Sequence, residues 1–300
     1  MKGNQSSGTA EYMAVFRAYE SRRPASKRLF FDPFAAQFLR PALRAAVWFS
    51  NVPVVGGALR WWADRRLPGA RTSAIARTRM IDELVGEGLR DAIGQIVILG
   101  AGFDCRAYRL PGVDAAEVFE VDHPATLAVK LERLRRALPA LPPRVHFVRI
   151  DFNRDSLAQR LAEAGFDSSR AALFLWEGVT NYLTAEAVDS VLKYVAGCAA
   201  GSRLIFTYVH SGALDGSVHF DGAAKLLRDV AQLGEPWTFG LDPRAVPQFL
   251  GERGLELDRD ASAREYRAQY YGADGEGMKG YDFYHVAAAH VAATSAAIEN

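Results

Sequence analysis

The chain has 300 residues, 49% hydrophobic and 24% charged, which suits one large α/β domain or such a domain with a cap. A net charge of +1 gives no general pull toward nucleic acid or an anionic membrane. Two cysteines, Cys105 and Cys198, have neither CxxC spacing nor a nearby histidine pair, which argues against a disulfide framework and a zinc site.

Residues 1–9 are small and polar, without the apolar stretch of a signal peptide. Thr9 is placed to cap a helix over Ala10–Glu20, ended by Ser21-Arg-Arg-Pro24. Asp32-Pro33 reads as a second helix start, with Phe34, Phe38 and Leu39 on its apolar face. Helical patterns continue over 41–49 and 57–66. The nearest approach to a membrane span, 45–62, is broken by asparagine, proline, paired glycines and arginine, short of the roughly 20 apolar residues required. A cytoplasmic protein follows as the expectation. Residues 1–70 contain no strand candidate and read as a helical cap, leaving 71–300 as the core.

A helix over 71–89 leads into the first strand, Gln95-Ile-Val-Ile-Leu99, which runs into Gly100-Ala-Gly102. A short apolar run stopped by glycines is the pattern of a buried parallel strand with a tight loop behind it. Cys105–Leu110 suits a short helix after that loop. Further strands are expected at 117–122, 145–150, 171–176 and 202–209, with helices at 124–138, 156–164 and from the Thr184 cap to Ala196. Strands and helices alternating in this way mean βαβ units and a parallel sheet. Toward the end, 223–233 and 243–250 look helical, while 255–258 and 282–286 suggest two short closing strands.

Four successive strands end in polar groups: Gly100, Gly102 and Asp104; Glu120 and Asp122; Asp151; and Glu177. In open α/β sheets ligands meet the chain at such carboxyl ends. An acid after the second strand suits the two hydroxyls of a ribose, since a carboxylate accepts both hydrogen bonds. A dinucleotide fingerprint needs a third glycine where Cys105 stands, which disfavours a nicotinamide oxidoreductase. The pattern favours an adenosyl ligand with an amino-acid tail: ribose on the acid after the second strand, adenine near Asp151 and Phe152, and the tail carboxylate clamped by Arg77.

These segments together resemble the leucine carboxyl methyltransferase family: ARTRM at Ala76–Met80, QIVILGAGFDCRAYRL from Gln95, FEVDHP from Phe119, IDF from Ile150 and WEGVTNYL from Trp176. RAYES and FDPFA, between Arg17 and Ala35, resemble its bacterial branch, which includes polyketide and other small-molecule O-methyltransferases. The resemblance implies a class I, Rossmann-like, seven-stranded and mostly parallel sheet with an N-terminal lid. It also implies S-adenosyl-L-methionine as cofactor and S-adenosyl-L-homocysteine as product. By the same resemblance Arg77 grips the methionine carboxylate, Gly100 lines the methionine, Asp122 holds the ribose, Asp151 and Phe152 the adenine, Glu177 the ammonium side, and Arg22 supplies the lid's basic contact.

Methyl transfer is an in-line displacement, so the protein chiefly aligns the groups and excludes water. A carboxylate acceptor needs no base, whereas a hydroxyl needs one within hydrogen-bond reach. His210 is the candidate base, or else a cap at a strand end; Arg106 and Tyr108, after the glycine loop, are candidates to face substrate. The expected partner is a small-molecule acceptor, with no nucleic acid or membrane, for a monomer or homodimer. Methylation of a protein carboxyl terminus is the nearest alternative, and an adenosyl-ligand sensor without turnover is a further one. A lid over the site is expected to leave residues 1–25 displaced or disordered without ligand.

Overall fold

A computed structural model describes residues 8–50, 52, 56–57, 65, 68–152, 154–232, 234–278 and 280–292. The expected helix over 57–66 falls mostly outside these residues, as does the tail 1–7.

The core is a seven-stranded sheet ordered β3-β2-β1-β4-β5-β7-β6. The strands are β1 (Gln95–Leu99), β2 (Glu117–Asp122), β3 (Val145–Arg149), β4 (Leu173–Trp176), β5 (Arg203–Val209), β6 (Leu255–Ser262) and β7 (Tyr284–Val291). The first five pair in parallel, and β7 enters antiparallel between β5 and β6. The chain builds outward from β1 through β2 to β3, then returns to lay β4 on the other side of β1. Strand order therefore reverses at the ends of β1 and β4, where a crevice opens.

Burial explains why β1 is apolar throughout. Ile96 and Ile98 face one core layer with Met80, Ile81, Leu175 and Phe283. Val97 and Leu99 face the other with Phe119, Phe174, Trp176 and Leu192. Both faces are covered, so the period-2 alternation of a half-exposed strand is lost.

Helix α1 (Gly8–Ser21) and α2 (Pro41–Phe49) form the N-terminal layer, and α3 (Ala70–Arg90) leads into β1. Asp32 accepts from the backbone N–H groups of Phe34 and Ala35 at 3.0 and 2.9 Å, starting a 3-10 turn over Ala35–Phe38 instead of the expected α-helix. Short helix α4 (Arg106–Arg109) follows the glycine loop, and α5 (Pro124–Ala137) follows β2. The closing strands are longer than expected. Between them lies α6 (Ala263–Tyr271), for which no expectation was drawn; its capping box, Ser262 with Glu265, was the readable signal. Among the described residues, no helix is long and apolar enough to cross a membrane.

The N-terminal helix is docked. Ala14 and Ala18 are buried in a cluster with Phe38 and Phe103, and Arg17 donates from Nη2 to the Phe103 carbonyl. Three positions of one helix face, Ala10, Met13 and Arg17, all meet the site below.

Candidate functional site

The glycine loop is built by its own backbone. Gly100 and Gly102 hold φ of +64° and +43°, a region that penalises any Cβ. A Cβ on Gly100 would stand 2.4 Å from Val179 Cγ2, so the loop after β4 packs directly on the loop after β1. The Gly102 N–H donates to Asp122 Oδ2 at 2.5 Å and the His123 N–H to Oδ1 at 2.6 Å, fixing the Asp122 carboxylate at the end of β2. Burial raises the Asp122 pKa, and these two N–H donors oppose the rise. Two of the four or so lone-pair directions of that carboxylate remain for a diol. Beneath the loop, Lys130 Nζ lies 2.8 Å from Glu120 and donates to the Ala101 carbonyl at 3.4 Å, with both charged side chains fully buried.

A chain of ion pairs runs across the crevice. Arg77, from α3, donates through Nε to Glu177 Oε1 at 2.9 Å. Arg106 donates to Glu177 Oε2 and to Asp82, each at 2.8 Å, and also to Asp104. Arg109 grips Asp82 at 2.7 and 2.8 Å and lies 3.6 Å from Asp32, which Arg17 holds at 3.0 Å. Burial works to raise the Glu177 and Asp104 pKa values, but the arginines outweigh it: Arg106 and Arg77 hold Glu177 down, and Arg106 and Arg17 bring Asp104 to about 2. Both carboxylates are therefore charged across the neutral range.

The fit to an adenosylmethionine-type ligand rests on what these groups leave unspent. Arg77 uses Nε on Glu177, while among the described residues its Nη2 meets only the thioether of Met13 at 3.4 Å, a weak acceptor where a carboxylate would bind far better. Glu177 keeps acceptor capacity for an ammonium. Asp151 and Phe152 follow β3, tied to β2 by the Ile150 N–H on the Asp122 carbonyl at 3.0 Å. Phe152 packs on the core layer behind the sheet. At the third place of a dinucleotide fingerprint, Cys105 is 1% exposed, so a side chain fills the space which that motif keeps clear.

The structure thus gathers Arg77, Gly100, Gly102, Asp104, Asp122 and Glu177 around one crevice, with Asp151 and Phe152 at the neighbouring strand end. Arg22 makes a cation–π contact, its guanidinium 5.8 Å from the centre of the Trp48 ring, and a cation of α1, Arg17, reaches the glycine loop. Arg106, expected to face substrate, is 4% exposed and enclosed by three carboxylates. Tyr108 packs edge-on to Phe34, and burial, then Glu120, pushes its pKa up, so its hydroxyl faces the buried Glu120–Lys130 pair. His210 accepts the Gly212 N–H on Nδ1 at 3.0 Å, capping the short helix Ser211–Asp215. In its neutral form that histidine carries the proton on Nε2 and has no free lone pair for a substrate proton. Burial also lowers its pKa.

Sequence reading passed over Arg17, Asp32, Asp82 and Lys130 as site-building residues. Arg17 was legible as a cation on the buried stripe of α1. Asp32 was legible only as a helix start, and Asp82 and Lys130 carry no local signal, because their partners lie on other elements.

The model of the leucine carboxyl methyltransferase family matches residues 10–196. A "putative S-adenosyl-L-methionine-dependent methyltransferase" of Streptomyces coelicolor is 30% identical over 259 residues, covering 85% of this chain and 88% of that protein. A protein of the same description from Mycolicibacterium gilvum is 36% identical over 258 residues, covering 83% and 74%. A crystallised "putative methyltransferase" from Thermobifida fusca superposes with a TM-score of 0.61 over 95% of this chain and 98% of its own, at 20% identity, and shares the fold. With 187 of its 300 residues inside the family match, this chain belongs to the leucine carboxyl methyltransferase family.

Proposed function

We propose that the protein is an S-adenosyl-L-methionine-dependent O-methyltransferase acting on a carboxylate or hydroxyl of a small molecule. The observation that carries this is the Arg77 guanidinium, held by Glu177 through Nε and with its Nη2 on no better acceptor than the Met13 thioether among the described residues, together with the Asp122 carboxylate that the Gly102 N–H fixes at the end of β2. Arg77 would hold the methionine carboxylate, Glu177 the ammonium, Gly100 the methionine chain, Asp122 the ribose, and Asp151 with Phe152 the adenine. Gly102 and Asp104 act beneath them, Gly102 by anchoring Asp122 and Asp104 by anchoring Arg106. When bound, the cofactor supplies an electrophilic methyl on a sulfonium, whose C–S bond breaks as the acceptor oxygen forms its new bond.

The chain's own residues orient and dehydrate. Arg106 keeps Glu177 in place and charged. Residues 1–70 act as a lid over a core of 71–300: α1 lays Ala10 near Gly102, Met13 on Arg77 and Arg17 on the loop carbonyl, so its docking shields the crevice from water. The relatives' description supports the cofactor assignment. Isotope-labelled S-adenosyl-L-methionine supplied with a pool of carboxylic acids, phenols and alcohols should yield labelled ester or ether. Arg77→Ala should reduce that yield at least a hundredfold, because one charged bidentate contact is lost. Equal turnover by the variant would remove Arg77 from the site.

A further inference from the structure

Beneath the glycine loop lies an ion pair that takes no part in the crevice surface. Glu120 and Lys130 are both 0% exposed, with Nζ 2.8 Å from Glu120 Oε2. Glu120 stands on β2, in register with Ile98 of β1 and Phe147 of β3, just before the strand reaches Asp122. Lys130 lies in the middle of α5, the helix that His123 caps directly after Asp122. Taking two charges out of water is costly, and an apolar pair of similar volume often serves a core as well or better. Packing alone gives no reason for this pair, but its contacts do.

Lys130 meets the peptide unit between Ala101 and Gly102. The carbonyl of that unit accepts from Lys130 Nζ at 3.4 Å and from the Asp104 N–H at 2.8 Å. Its N–H, the Gly102 donor, donates to Asp122 Oδ2 at 2.5 Å. In a trans peptide the two groups point opposite ways on one rigid plane. A cation at the oxygen draws electrons toward itself and makes the N–H a better donor, so the bonds at the two ends strengthen each other. The positive φ of Gly100 and Gly102 lets the loop turn this plane between helix and strand end. Burial raises the Asp122 pKa, the Gly102 and His123 N–H groups oppose the rise, and the Lys130 charge adds to them. The charged groups on the elements around Asp122 are His123 and Lys130 after it, the exposed Arg149 opposite it on β3, and Asp104 on the loop after β1, which Arg106 holds.

We propose that Lys130 is a positioning residue for the cofactor: with Glu120 as its counter-charge, its ammonium holds the Ala101–Gly102 peptide and, through that peptide's N–H, sets the Asp122 carboxylate for the ribose hydroxyls. This rests on the methyltransferase reading above. Lys130 touches no ligand and acts only through the loop. Without the ammonium the Gly102 N–H is a weaker donor, and Asp122 keeps its proton to a higher pH. A protonated Asp122 has less acceptor capacity for a diol. Binding of an adenosyl ligand, which fails as pH falls through the Asp122 pKa, then fails at a higher pH.

The test is calorimetric titration of S-adenosyl-L-homocysteine into the full chain across the acid-to-neutral range, for wild type, Lys130→Met and the neutral pair Glu120→Gln/Lys130→Met. Lys130→Met strands the Glu120 charge and should lower the melting temperature. The neutral pair removes both charges together and should melt close to wild type or above it. Even so, its affinity at neutral pH should fall by about tenfold or more, and the pH at which binding is half lost should rise by about one unit. His123, Arg149 and Asp104 are the same in every variant, so that rise reports the ammonium. A neutral pair that binds like wild type would make the ion pair a matter of packing and overturn the proposal. Weaker binding with an unmoved pH midpoint would overturn it too, by removing the link to Asp122. Failure of wild type to bind S-adenosyl-L-homocysteine at any pH would instead overturn the methyltransferase reading, and the proposal with it.

Discussion

Arg106 is where most charge converges, with carboxylates from α3, from the loop after β1 and from the loop after β4 around one guanidinium. Its role is to keep Glu177 and Asp104 ionised in a place where burial alone would neutralise them. Asp104 carries the measurable consequence. Its folded pKa of about 2 lies below the ordinary 3.8, so its contribution to stability is full above that ordinary value and is lost as pH falls through the folded one. A shift of this size is worth about 2 kcal/mol. Urea unfolding of wild type and Asp104→Asn should therefore show a stability gap that narrows by about that amount between pH 5 and pH 2. A gap constant across the range would mean that Asp104 is not held charged by Arg106. Residues of this kind are only half legible in sequence. Asp104, Asp122 and Glu177 stand out because each follows an apolar strand. Asp82 lies mid-helix among ordinary surface-type charges, and only tertiary structure brings it to Arg106.

At the scale of elements, strand patterns proved the most readable. β1, β4 and β5 are short runs buried on both faces almost throughout, which favours apolar residues, whereas the edge strand β3 keeps His146 half-exposed and Arg149 exposed. The antiparallel pair was harder: β6 is Leu-Glu-Leu-Asp-Arg-Asp-Ala-Ser, with several half-exposed or exposed positions and a register shift at Leu257/Arg259. Helix α6 was missed because its inward face is carried by Tyr266 and Arg267, not by aliphatic residues. There Arg267 donates to Ser73 Oγ at 2.8 Å and so ties α6 to α3. Helix α1 illustrates the opposite case, an element expected correctly whose working residue was not. Its tie to the core is Arg17, joined to the Phe103 carbonyl and Asp32. Charge-assisted hydrogen bonds of this kind contribute about 1.5–3 kcal/mol each. Arg17→Met should then raise amide exchange across residues 10–20 by roughly tenfold or more in hydrogen-exchange mass spectrometry. Unchanged exchange would show that the apolar contacts of Ala14 and Ala18 hold the lid unaided.

Across the whole molecule, one arrangement accounts for the fold and the site together. Reversing strand order at β1 brings the loops after β1, β2 and β4 to one crevice, while α3 and the N-terminal layer close it from above. The antiparallel β7 places Tyr284 at its first position, beside the end of β5, and so carries that ring to within 5.2 Å of the Arg77 guanidinium. The measurement that tests this most directly is calorimetric titration of S-adenosyl-L-homocysteine into wild type and Asp122→Ala, with NAD as control. The account predicts binding to wild type, a loss of roughly tenfold to a hundredfold or more in the variant from two hydroxyl contacts to a carboxylate, and no binding of NAD. Binding that survives Asp122→Ala unchanged, or a preference for NAD, would contradict it.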